Sequence, residues 1–257
     1  MADHTYRARG VVLKKTKLGE SDLIVTLLVE DGSALKLVAK GARKPQSPFS
    51  SRLELCAVAD VLVAKGRASL GIAREVRLVA GNAGLRGDVD RIAAASLAAE
   101  LAERIAQEEL AVPRLFDMTC AAFSRMETAD PQAARALAAA YLLKALCVSG
   151  FSPSLRVCVS CGAPVPETAD TVRFSPVDGG YVCDACARTV EAVRVAARTL
   201  VLAESLIYST FEDISGSCFD VAAVSEVLQL CRRWIEVHIG ANLRSFPFVL
   251  SSASMHS

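Results

Sequence analysis

A chain of 257 residues, 52% of them apolar, is long enough for two domains, or for one domain with an insert, each with a real core. No apolar run approaches 18 residues without a charge, because Lys144, Arg194, Arg198 and Glu204 interrupt the richest stretches, and the first residues carry no apolar signal segment; membrane-spanning and exported classes are excluded and a cytoplasmic protein is expected. The formal net charge of +1 conceals an asymmetry: residues 1–81 carry 14 Lys and Arg against 8 Asp and Glu, a balance of +6, and the other 176 carry 15 against 20, a balance of −5. A basic first module on a mildly acidic body implies that the first domain meets a polyanion.

In chain order, residues 7–15 and 22–29 have strand composition and are split by the turn Leu18-Gly19-Glu20-Ser21. Glu30-Asp31-Gly32 signals a hairpin into a third strand over 35–40, which Gly41 ends. A polar loop follows over 42–52, with two prolines and three cations. Strand-like runs over 57–65 and 70–79, joined by Gly66-Arg67-Ala68-Ser69, bring the count to five, which fits a small closed barrel.

After Gly81-Asn82-Ala83-Gly84 the chain turns helical. Leu97, Leu101 and Ile105 recur at i, i+4 spacing, and Pro113 stops that helix or opens the next. Leu115, Thr119, Ala122, Phe123 and Met126 give a second stripe, and Asp130-Pro131 supplies an N-cap and an N1 proline for a third helix ending at Gly150. Val224, Leu228, Cys231 and Ile235 line a last long helix between Asp220 and His238, stopped by Gly240.

Between the helical stretches stands Cys158-Val-Ser-Cys161, then 21 residues, then Cys183-Asp-Ala-Cys186. Each C-x-x-C presents two sulfurs from one turn, and two pairs complete a tetrahedron around zinc. A redox dithiol is the other reading, and needs one pair to open a helix after a strand. No histidine lies between Cys158 and Cys186, so one structural Zn2+ on Cys158, Cys161, Cys183 and Cys186 is expected rather than a catalytic one. Such a site contributes on the order of 10 kcal/mol, more than a short segment is expected to gather from apolar burial. Cys56, Cys120, Cys147, Cys218 and Cys231 sit singly in apolar surroundings and are expected in the core.

The cations of the first module gather in loops: Lys14, Lys15 and Lys17 before one turn, Lys40, Arg43, Lys44 and Arg52 around another, Lys65, Arg67 and Arg74 around a third. These ten are the candidate phosphate contacts, since such binding needs several cations reachable along a groove. With only Tyr6 and Phe49 as aromatics, binding by base stacking is not expected, and contact should be indifferent to sequence. There is no G-x-x-x-x-G-K-[ST] or G-x-G-x-x-G, the histidines are His4, His238 and His256, and the acidic pairs Glu108-Glu109 and Glu212-Asp213 read as solvated, so no active site is expected.

Gly19-Glu20-Ser21-Asp22, Val38-Ala39-Lys40-Gly41-Ala42-Arg43-Lys44-Pro45, the first cysteine pair with Gly162, Phe174-Ser175-Pro176, Gly179-Gly180, and His238-Ile239-Gly240 with Leu243-Arg244-Ser245 together resemble the RecO family of bacterial recombination mediators over nearly the whole chain. The resemblance implies an α+β protein: an OB-fold barrel over 1–81, a helical domain over 82–150 and 193–250, an inserted four-cysteine zinc module over 151–192, and a tail over 251–257. It also implies binding to single- and double-stranded DNA, annealing of strands coated with single-strand-binding protein, and assistance, with RecR, to RecA loading, by a protein that meets the nucleoid when it acts and has no membrane partner. The resemblance places the contact to the tail of single-strand-binding protein in the helical domain, where Arg91, Arg104, Arg114 and Arg125 are candidate cations. A zinc-ribbon adaptor that binds only proteins, and a thiol oxidoreductase, are the readings of other classes.

Overall fold

The computed structural model describes residues 5–65, 70–108 and 110–251. Alternating burial builds the first domain. β1 (Thr5–Leu18) pairs with β4 (Val58–Ala64) through its first half and with β2 (Asp22–Val29) through its second. β3 (Ala34–Ala39) pairs with β2, β5 (Gly71–Ala80) with β4, and the parallel contact of Val38 with Ile72 closes the barrel in the order β1-β2-β3-β5-β4. That is the five-stranded OB-type closure. Val12, Val25, Leu27, Leu37, Val61 and Val63 fill its interior.

β1 carries a bulge between Val12 and Lys14, and its flanking side chains Val11 and Leu13 are buried on the outside of the barrel. They pack, with Leu28, Cys56 and Val58, into the same core as the helices. α1 (Val89–Ile105) starts where the Asp88 carboxylate accepts from the amides of Asp90 and Arg91. α2 (Leu115–Thr128) and α3 (Pro131–Val148) follow, the latter capped by Asp130 with Pro131 at its first turn. Every residue of α3 from Ala133 to Leu143 is buried, and its alanines let the neighbouring helices approach closely. Thr119 Oγ1 and Tyr141 Oη meet at 2.7 Å inside this packing.

The insert is a three-stranded sheet, β6 (Thr171–Ser175), β7 (Gly180–Val182) and β8 (Val193–Ala196), in the order β7-β6-β8. Its last strand reaches past residue 192, where the sequence places the end of the insert, and leads directly into α4 (Ala197–Tyr208). α5 (Phe211–Ser215), α6 (Val221–His238) and α7 (Phe246–Ser251) complete the chain. Among the described residues no helix is long and apolar enough to cross a membrane.

Two expectations need correction. Of the two readings of Pro113, that it stops α1 fails, because the helix ends at Ile105, where the Gln107 carbonyl accepts from the Ala34 amide at 2.9 Å and the chain runs alongside the β2–β3 hairpin; the other stands, since Pro113 lies just before α2, which starts at Leu115. Cys218 is exposed, in the connection between α5 and α6, while Cys56 and Cys231 are buried and Cys120 and Cys147 half-buried.

The β2–β3 turn is held against the segment after α1 at Gly32, whose φ is 84° and where a Cβ would stand 2.0 Å from the Val112 carbonyl oxygen. Gly32→Ala is therefore expected to destabilise the protein by more than about 2 kcal/mol, combining left-handed strain with a backbone clash. Urea unfolding measures this, and an unchanged midpoint would contradict the close approach.

Candidate metal centre and nucleic-acid interface

The ligand atoms of Cys158, Cys161, Cys183 and Cys186 all lie within 4.8 Å of one another, with the Cys161 and Cys183 sulfurs 3.6 Å apart. A tetrahedron with sulfur about 2.3 Å from its centre has edges near ~3.8 Å, so this donor set fits a thiolate-bound metal ion. The turns are closed by backbone: Cys158 N–H donates to Ala163 O at 2.7 Å, Gly162 N–H to Cys158 O at 2.9 Å, and Ala187 N–H to Cys183 O at 2.9 Å. Burial opposes ionisation of Cys158, yet the amides of Cys183, Cys161 and Ser160 hold its thiol down at about 6. The Cys186 thiol is raised, first by its hydrogen bonds with Cys183 and Cys161. Four sulfurs this close repel one another when ionised, and a cation relieves that repulsion.

The cluster is fastened to the helices by the residues between the two cysteine pairs. Phe174 is fully buried and meets Trp234 edge-on at 5.9 Å between centroids. Ser175 Oγ donates to Asp178 and accepts from the Asp178 amide, which folds the tip of the β6–β7 hairpin. His238 Nε2 lies 2.8 Å from the Pro176 carbonyl and its ring packs on Phe151, so this histidine on α6 is a packed strut. At Gly180 a Cβ would lie 2.6 Å from Ser154 O and 2.5 Å from Val159 Cγ1, and only glycine lets the hairpin lie on the first cysteine turn.

On the barrel, two separated sequence motifs form one clasp. The Arg43 guanidinium donates to Gly19 O and Glu20 O, its amide donates to Ser21 O, and the Gly41 amide donates to Asp22 Oδ1 at 2.8 Å. Lys17 stands opposite Leu23, which pairs in turn with Ala39, so Lys17, Lys40, Arg43 and Lys44 are gathered around this clasp. Lys17, Lys40 and Lys44 are exposed and have no ion-pair partner among the described residues.

The other candidates are dispersed. Lys14 pairs with Glu103 on α1 at 2.7 Å and Lys15 with Glu54 at 2.8 Å. Arg52 donates to Val76 O at 3.0 Å, so it braces β5. Lys65 follows the Ala64–Thr5 pair, Arg74 is exposed on β5, and Arg67 lies outside the described residues. Among the helical arginines, Arg91 donates to Glu127 O and Arg125 pairs with Glu212 at 2.9 Å, while Arg104 and Arg114 are exposed. Asp22 was not singled out by sequence reasoning, although an acid closing Gly-Glu-Ser-Asp beside a basic turn was the available signal.

A closed OB-type barrel with a basic rim, packed by its outer face on helices that carry a four-thiol cluster, defines a barrel-and-helix class with a metal-capable insert. The family profile described as "Recombination protein O N terminal" matches residues 1–82, and "Recombination protein O C terminal" matches residues 86–247. Proteins named DNA repair protein RecO are similar over nearly their whole length: that of Bifidobacterium longum (strain DJO10A) is 32% identical over 247 residues, covering 95% of this chain and 98% of the relative. That of Anaeromyxobacter dehalogenans (strain 2CP-C) is 34% identical over 243 residues, covering 93% and 94%. The chain belongs to the RecO family of DNA repair proteins.

Cys158→Ala should reduce bound metal well below the ratio of about one ion per chain that four thiolates support, and should lower the thermal midpoint. Metal content by mass spectrometry and a melting curve measure both, and full metal retention would rule out Cys158 as a ligand. The clasp has its own pH signature. The Asp22 carboxylate is held below the ordinary range first by the Gly41 amide and then by the Ser21 hydroxyl, with Lys40 and Lys44 adding to the effect. A depressed carboxylate contributes at neutral pH and loses its contribution only as pH falls through the lowered pKa. The Gly41 amide resonance should accordingly titrate in the acid range below an ordinary aspartate, and Asp22→Asn should abolish that step.

Proposed function

We propose that the protein is a recombination mediator: it binds single- and double-stranded DNA without sequence preference, anneals complementary strands coated with single-strand-binding protein, and works with RecR to assist RecA loading. The observation that carries this reading is the clasp, where Lys17, Lys40 and Lys44 are exposed and none is in an ion pair among the described residues. Annealing brings two polyanions together, and a basic surface lowers their repulsion without ATP or a nucleophile, so no bond chemistry is required of the protein. Family membership and the DNA repair names of the relatives support the same assignment.

In this reading Lys17, Lys40 and Lys44 are the principal phosphate contacts, Arg43 contributes while bracing the turn, and Lys14, Lys15, Arg52, Lys65, Arg67 and Arg74 extend the basic surface. The ion held by Cys158, Cys161, Cys183 and Cys186 is Zn2+, a structural staple rather than a DNA contact. The units 1–81, 82–150, 151–192 and 193–250, with a tail over 251–257, describe the division of labour. RecR and the tail of single-strand-binding protein are the protein partners, and the protein acts at the nucleoid.

Lys40→Glu/Lys44→Glu tests the reading without disturbing the Arg43 struts. Binding to a labelled oligonucleotide at low salt should weaken about tenfold or more, with annealing of complementary strands falling in parallel, both bare and coated with single-strand-binding protein. Absence of annealing by the unmodified protein would sink the mediator reading, and unchanged DNA affinity in the folded variant would favour an adaptor that binds only proteins.

A further inference from the structure

The barrel and the helical domain do not meet flush. Where the second half of β1 crosses α1 and the Leu243-Arg244-Ser245 segment, a cleft of about 320 Å³ remains. Its lining mixes apolar residues, the buried Leu13 and Leu243 and the part-exposed Leu55, with the charged Lys14, Lys15, Glu100, Glu103, Arg104 and Arg244. The acids at the rim are already engaged. Glu103 holds Lys14 at 2.7 Å, and Glu100 accepts from the Ser245 amide at 3.1 Å, which ties the segment after α6 to α1.

What remains unengaged is positive. Arg104, in the last turn of α1, and Arg244 both line the cleft and are exposed, and neither has a hydrogen-bond or ion-pair partner among the described residues. The cleft is also continuous with the basic clasp. Lys14 and Lys15 line it, and Lys17, beside the clasp, is two to three residues further along the same strand, a distance of roughly 7–10 Å.

We propose that this cleft is a second nucleic-acid station, which takes one nucleotide unit of a single DNA strand that runs from the clasp along β1, with Arg104 and Arg244 as the phosphate contacts. The inference rests on the DNA-binding reading above and extends it onto the helical domain. The two guanidinium groups suit the phosphates on either side of the nucleotide, and the part-exposed Leu55 beside them gives its sugar or base an apolar contact. A cleft of about 320 Å³ has room for a single nucleotide unit and not for a base pair.

The test compares the full-length protein with Arg104→Glu/Arg244→Glu, with the charge-preserving Arg104→Lys/Arg244→Lys, and with Lys40→Glu/Lys44→Glu. Binding to oligothymidylate is followed by fluorescence anisotropy over a range of salt. Two single-strand phosphate contacts contribute about 1.4 to the slope of log affinity against log salt, at about 0.7 each. The glutamate pair at 104 and 244 should lose that much slope and about tenfold in affinity, while the lysine pair retains most of both. Photocross-linking of 5-iodouracil oligonucleotides to the unmodified protein should label peptides from residues 96–104 and 242–245, which keeps the test intact if the glutamate variant misfolds. The station alone is overturned by clasp-dependent DNA binding with unchanged affinity and slope in the folded glutamate variant, or by cross-links confined to the barrel. Loss of binding to an acidic peptide with a free C-terminal carboxylate, with DNA affinity unchanged, also overturns it and hands the cleft to a protein partner. Failure of the unmodified protein to bind DNA is a different result, which removes the broader reading as well.

Discussion

Both faces of β1 are buried at one place, and the rest of the molecule is arranged around that constraint. Val12 points into the barrel while Val11 and Leu13 point into the helical core, and all three are nearly or fully shielded from water. A strand normally alternates between core and solvent, so three consecutive buried residues require two cores, one on each side. Full burial of a valine or leucine stabilises by about 1.5–3 kcal/mol, so the two outward-facing residues alone contribute roughly 3–6 kcal/mol to holding the domains together. The bulge after Val12 then turns Lys14 toward Glu103 and Lys15 toward Glu54. These pairs are partly exposed and worth at most about 1 kcal/mol each, so they orient a junction that apolar packing holds.

The five strands, the third helix with its cap and the paired cysteines were legible because each depends on local chemistry: alternating apolar residues, Asp130 before Pro131, and C-x-x-C spacing, whereas the caps at Asp88 and Asp220 emerge from the structure. What was not legible depends on contacts between distant segments. Which lysines are spent on ion pairs is decided by where α1 falls, and no pattern near Lys14 announces Glu103 89 residues away. The end of α1 is likewise set by a carbonyl that the Ala34 amide captures, not by the nearest proline. Cys218 was read as core from its apolar neighbours, and the connection it occupies carries it to the surface.

The segments that carried the family resemblance prove to be joints more than contact surfaces. Gly-Glu-Ser-Asp supplies the acceptors for the basic turn, Phe-Ser-Pro and Gly-Gly seat the β6–β7 hairpin on α6 and the cysteine turn, and Leu-Arg-Ser ties the chain after α6 to Glu100. This changes the weight given to the metal. Val172, Phe174, Tyr181 and Val182 are all buried in the common core, and at about 1.5–3 kcal/mol each they contribute roughly 6–12 kcal/mol, an upper estimate. That is comparable with the order of 10 kcal/mol that a tetrathiolate ion supplies. The hairpin is therefore anchored from two ends, by aromatic packing on Trp234 and by the turns of the sulfur cluster, and an ion held there would shape the cysteine turns more than carry the module.

Charge follows the same logic of position over total. Residues 1–81 carry a balance of +6, of which Glu103 and Glu108 from beyond the barrel pair with Lys14 and Lys36; Lys17, Lys40 and Lys44 stay exposed at the clasp, and the helical domain adds the exposed Arg104 and Arg244. At physiological salt the Debye length is about 8 Å, so a polyanion senses these local groups rather than the nearly neutral whole. Exposed contacts of this kind are individually weak and exchange readily with counterions. In the proposed reading, a surface made of such contacts would hold a strand loosely enough to slide against its complement, whereas deep stacking or buried ion pairs would fix each strand in place.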